Sequence, residues 1–198
     1  MTNTSPPSNN RPGMHPHLAH VALPGQPNHS WQERWEIRDE VQDQLDWLEG
    51  FDKHAYDYLL RNLEKWAIDG FPNFNPRNTD TDGLSAPCGR RLRRKLGPQR
   101  PWMCEAKTHE TEVAKRPTRP PKAKRQWRMY FIDVTRVDGE PDHVMAGVHF
   151  AEKWVSNRKQ DDNKVTKRQD QDMTKAATHA LRWCPEVSRD YRRDDEFL

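Results

Sequence analysis

Three short segments in the second half of the chain are β-like, the first two with side chains alternating with a period of two, and this leaves few folds open. At 102–107, Trp102, Cys104 and Ala106 alternate with Met103, Glu105 and Lys107. At 127–134 (WRMYFIDV), Trp127, Met129 and Phe131 alternate with Arg128, Tyr130 and Ile132. VMAGVHF at 144–150 is the third such segment. Alternation of this kind predicts strands whose two faces meet different surroundings. Asp138-Gly139 between the last two segments is a hairpin signal, in a loop longer than two residues.

The flanking segments have the helical period instead. Ser30 and Glu33 have the spacing of a capping box, and Trp31, Trp35, Val41, Leu45 and Leu48 then recur helically to Gly50. Asp52 can cap a second helix bearing Ala55, Tyr56, Leu59, Leu63, Trp66 and Ala67 on one side, ended by Gly70 and Pro72. At 166–183, Met173, Ala176, Ala177, Ala180 and Leu181 form one narrow face of mostly small residues, stopped by Pro185. The prediction is an α+β fold: an N-terminal helical hairpin, a small antiparallel sheet of three or more strands, and a C-terminal helix.

Composition limits how much of the chain joins that core. Of 198 residues, 33% are hydrophobic and 32% charged. Even with the 9 glycines added, the apolar share stays below the ~45–50% of ordinary domains. About 110–130 residues can share a core, and 8 Trp argue against general disorder. Residues 1–29, rich in Pro and Asn, read as a disordered tail whose histidines (His15, His17, His20, His29) lack a metal-ligand arrangement. Residues 30–184 read as one domain, with flexible inserts near 71–88, 109–126 and 155–165. Residues 185–198 read as a charged tail.

Several classes drop out. No run approaches the ~20 apolar residues of a membrane helix, and the apolar patch at 18–23 is too short for a secretory signal. Cys88, Cys104 and Cys184 are too few and too scattered for a disulfide scaffold, so reduced thiols and a cytoplasmic location are expected. The net charge of +3 conceals an asymmetry. Between Arg90 and Arg128 fourteen Lys/Arg face three acids, so this stretch carries +11 and the remainder −8. A basic middle in an acidic chain points to a polyanionic partner.

The element order, together with four stretches, resembles the RelE/ParE superfamily of bacterial toxins, most closely its HigB-like branch, found also among phage and genomic-island proteins. Besides the helical hairpin, WMCEAK is similar to that family's aromatic-x-x-Glu-x-basic strand, and WRMYFID to its aromatic-Arg-apolar-Tyr/Phe strand. VHFAEKW resembles the segment in which a phenylalanine precedes lysines, and KRQDQDMTKAATHAL resembles the closing helix. The likeness covers roughly residues 30–183. It implies a toxin-like, metal-independent endoribonuclease that cuts messenger RNA on the ribosome, needs no cofactor, and is held off by an antitoxin protein, as a monomer or a toxin–antitoxin complex. Two alternatives stay open: a non-catalytic member of the fold that binds nucleic acid or protein, and a gyrase-poisoning ParE-type toxin. Where the HigB-like pattern has paired lysines, this chain has Glu152-Lys153, and it is about twice the usual length.

Metal-free RNA cleavage needs a base for the 2′-OH, cations for the phosphorane, and an acid for the leaving 5′ oxygen. Arg128 stands opposite Trp127 and Met129 on its strand, where a guanidinium can fork onto phosphate; the alternative is an ion pair with Glu105 or Asp133. Lys107 either donates to phosphate or ends the strand in solvent. His149, out of phase with Val148 and Phe150, should point away from the core side as base or acid. Lys153 matches the family's lysine after the last strand, or is an ordinary loop lysine. Tyr130 either stacks a base or packs in the core. Arg90, Arg91, Arg93, Arg94 and Lys95 form the densest cationic run, read as nucleic-acid contact or as a charged linker.

Overall fold

The computed structural model describes residues 35–69, 80–81, 83–85, 96–97, 100–112, 124–137, 144–155 and 162–193. Among these are three helices and one mixed, mostly antiparallel sheet, an α+β arrangement. In chain order the elements are β1 (Trp35–Ile37), α1 (Asp39–Phe51), α2 (Lys53–Asp69), β2 (Asp80–Thr81), β3 (Leu84–Ser85) and β4 (Met103–Lys107). There follow β5 (Thr111–Glu112), β6 (Lys124–Arg136), β7 (Val144–Val155), α3 (Asp162–Glu186) and β8 (Arg189–Tyr191). The main path of the sheet is β1-β7-β6-β4-β3-β2, and β5 and β8 both pair with β6.

Two of the strands dominate. β6 and β7 are 13 and 12 residues long and pair antiparallel. At ~3.3 Å per residue they run about 40 Å, close to the ~37 Å that the 25 residues of α3 span. The alternation of β6 separates two cores. Trp127, Met129 and Phe131 pack with Val41, Leu45, Leu48, Leu59 and Leu63 of the helical hairpin. Tyr130, Ile132 and Val134 pack with Met173, Ala176, Ala180 and Cys184 of α3. The alanines let α3 lie close to the sheet.

Local signals held in several places and failed in others. Asp52 caps α2, its Oδ1 accepting from the Ala55 backbone N–H at 3.1 Å. The first helix starts later than its periodicity suggested. Trp35 belongs to β1, which pairs in parallel with Met145–Gly147 of β7, and Arg38 occupies the N-cap position without a side-chain cap. The open edge of β7 takes these residues as a ladder partner, and Ile37 enters the core. The Ser30/Glu33 pair lies outside the described residues.

α3 begins at Asp162 and carries Pro185 inside its last turn. Leu181 is 42% exposed, and Cys184 takes the inward position after Ala180. Within the stretches read as inserts, the described residues form β2, β3, β5, the start of β6 and the start of α3. In the stretch read as a charged tail, β8 pairs with Val134–Arg136, and Arg192 donates to the Asp133 carboxylate at 3.3 Å. Backbone pairing and the ion pairs of Arg189 with Glu36 and Arg192 with Asp133 hold this polar stretch against the sheet, which hydropathy alone does not reveal.

Candidate functional site

The candidate site is built on the face of β4, β6 and β7 that α3 partly covers. Register fixes which residues share it. Arg128 pairs with Lys107 on one side and Ala151 on the other; Tyr130 pairs with Glu105 and His149; Gln126 pairs with Lys153. Directly opposed residues project to the same face, and so do residues two apart on one strand. Lys107, Arg128, Tyr130, His149 and Lys153 therefore stand together, across three strands spaced ~4.8 Å apart.

Their environments differ sharply. Arg128 is buried and committed to neighbours: Nη1 donates to Glu105 Oε1 at 2.5 Å, while Nε and Nη2 donate to Gln126 Oε1 at 3.1 and 2.7 Å. Of the two ion-pair partners weighed for it, Glu105 is the one it takes; Asp133 pairs with Arg192. Gln126 is itself oriented, its Nε2 donating to the Thr108 carbonyl at 3.1 Å. The second oxygen of Glu105, Oε2, is buried and accepts no hydrogen bond among the described residues. Lys107 is buried, not a solvated strand end, and Tyr130 is buried in the α3 core.

His149 overturns the simple phase argument. The β6–β7 register pairs Phe131 with Gly147 and Tyr130 with His149, so Val148 is the extra residue of a β-bulge. The bulge resets the alternation and turns His149 toward α3. Its ring stacks on Tyr130 (centroids 5.8 Å apart, 20° between planes) and meets the His179 ring edge-on at 5.3 Å. Asp172 Oδ1 lies 3.9 Å from His149 Nε2, an ion-pair distance too long for a hydrogen bond. His179 Nδ1 donates to the Val148 carbonyl at 3.2 Å, the tautomer being set by the acceptor. Burial, and next the positive charge of Arg38, hold the His179 pKa below its ordinary value.

Lys153 and Glu152 separate, as adjacent strand residues must. Lys153 donates to Gln169 Oε1 on α3 at 3.3 Å. Glu152 faces the hairpin side and pairs with Arg125 at 2.8 Å. The Arg125 guanidinium lies 4.9 to 5.4 Å from the centroids of Phe51, Trp127 and Trp154. The inverted charge of the Glu-Lys pair therefore serves the opposite face.

Arg90, Arg91, Arg93, Arg94 and Lys95 lie outside the described residues. Gln126, Gln169, Asp172 and His179 were not singled out from sequence. On α3 the last three flank the buried Met173/Ala176/Ala180 stripe, and a helical projection of the polar residues beside that stripe is the signal that finds them. Among the described residues, no group of three or more His, Cys, Asp or Glu is arranged to hold a metal ion. Cys104 and Cys184 are buried free thiols. Burial first, then the charges of Asp190 and Glu36, push the Cys184 thiol up to about 12, so it stays protonated. Among the described residues no helix is long and apolar enough to cross a membrane. Compared with protein-family models, curated proteins and solved structures, the chain matches none.

Proposed function

We propose that the chain is an RNA-acting protein of RelE/ParE type, a toxin-like endoribonuclease with an antitoxin partner. The observation that carries this reading is the shared sheet face of Lys107, Arg128, Tyr130, His149 and Lys153. The order of hairpin, antiparallel strands and closing helix supports it. In this reading the chemistry is attack of a ribose 2′-OH on the adjacent phosphate. Arg128 and Lys107 stabilise the added negative charge, and His149 and Lys153 transfer protons to or from the oxygens. The Arg90–Lys95 run tracks the phosphates of the strand outside the site.

The pairing of Arg128 with Glu105 favours a second reading, binding without cleavage, because a phosphate must compete with a carboxylate already in hydrogen-bond contact. Expression of the full chain in a bacterium separates the two. Growth arrest with transcripts ending in 2′,3′-cyclic phosphate, unaffected by EDTA in the purified reaction, is the expected result. Arrest with intact RNA and broken DNA would point to gyrase, and normal growth would leave only binding. A folded Arg128→Lys variant that cleaves at the wild-type rate removes Arg128 from the chemistry; the expected loss is about 10²–10³ in rate.

A further inference from the structure

We infer that Arg38 and His179 are positioning residues: together they clamp the Val148 carbonyl and so fix the bulge that turns His149 and Lys153 onto the site face. What the two side chains do there rests on the proposed RNA chemistry; how they are held does not.

The argument starts from register. Gly147 is opposite Phe131 and His149 is opposite Tyr130, leaving Val148 outside the ladder. A bulge residue loses its cross-strand partner, and a buried backbone carbonyl needs another donor. The Val148 carbonyl has two, both from outside the β6–β7 pair. Arg38 Nη1 donates at 3.2 Å from the junction of β1 and α1, and His179 Nδ1 donates at 3.2 Å from α3. The Arg38 backbone N–H also donates to the preceding carbonyl, Gly147, at 3.1 Å. The bulge is thus gripped from the sheet edge, where β1 turns into α1, and from α3.

The consequence reaches along the whole second half of β7. Side chains on a strand alternate with a period of two, so one inserted residue reverses every later position. With the bulge, Phe150 enters the hairpin core and His149, Ala151 and Lys153 face α3. Without it, Phe150 would turn toward α3, and His149 and Lys153 toward the hairpin. The clamp therefore decides whether His149 and Lys153 join Arg128 and Lys107. Its two donors are 141 residues apart in sequence, so the site is completed only when β1 and α3 have both docked.

The test uses the full chain and the His149 ring resonances, assigned by their loss in His149→Asn. Stacking on Tyr130 displaces those resonances from the positions of an unstructured histidine. His179→Leu combined with Arg38→Met removes both donors, and most of that displacement should disappear while the rest of the spectrum stays dispersed. His179→Asn, which keeps a donor where Nδ1 stands, and Arg38→Lys should restore it. If the double variant does not fold, the comparison of His179→Leu with His179→Asn alone decides, with the larger shift expected for Leu. Unmoved His149 resonances in folded Leu and Met variants would overturn the clamp. RNA cleavage is followed on the same samples: a working clamp in a protein that never cuts RNA ends the cleavage reading and leaves the clamp standing.

Discussion

Arg128 on β6 reaches diagonally to Glu105 on β4, donating from Nη1 to Oε1 at 2.5 Å, while Lys107 stands directly opposite it. Both partners of the ion pair are over nine-tenths buried. Such a pair is costly to break and gives little net stability over an apolar substitute, because each charge was desolvated to form it.

Removing one partner should therefore hurt far more than removing both. Arg128→Ala leaves the Glu105 carboxylate buried without its cation, and a loss of about 3–5 kcal/mol is expected in urea unfolding. Arg128→Met together with Glu105→Leu should recover most of that loss. Equal losses for the single and double variants would contradict this account of the pair.

Acid should destabilise the protein through His179. Its folded pKa lies below the ordinary 6.5, first through burial and then through the Arg38 charge. The unfolded chain then holds the proton more tightly than the folded one. Stability from this group is full above about pH 6.5 and is lost as pH falls through the folded pKa. Urea midpoints measured between pH 7.5 and 5 should fall with pH, and less steeply in His179→Asn.

Gly147 marks where β1 meets the bulged strand. A Cβ there would lie 2.8 Å from Ile37 Cδ1, with Met129 Sδ and Val41 Cγ1 behind it. Gly147→Ala must displace the end of the Ile37 side chain within a packed core, and about 1 kcal/mol of destabilisation is expected. Adding Ile37→Val, which shortens the obstructing side chain, should recover part of it in the same unfolding measurement.

RNA affinity should depend steeply on salt. Each phosphate contact to a single strand contributes about −0.7 to the slope of log affinity against log salt. Neutralising Arg93, Arg94 and Lys95 together should remove two to three contacts, flattening the slope by about 1.4 to 2.1. A slope unchanged in that variant would put the phosphate-tracking surface elsewhere.

The sequence by itself determined the type of the longer elements and many of their core positions. Alternation over WRMYFIDV assigned Trp127, Met129 and Phe131 to one face and Arg128 and Tyr130 to the other, because side-chain direction in a strand is a local property of the backbone. The Asp52 cap was legible for the same reason: donor and acceptor lie three residues apart. Only tertiary structure decided the rest. Trp35 became strand because the edge of β7 was open to it. Whether Glu105 or Asp133 would take Arg128 was settled by register and by the arrival of Arg192. His149 faced α3 because one carbonyl, at Val148, found donors on Arg38 and His179. Those contacts join residues about 20 to 110 positions apart, and no window of local sequence carries the energy that selects them.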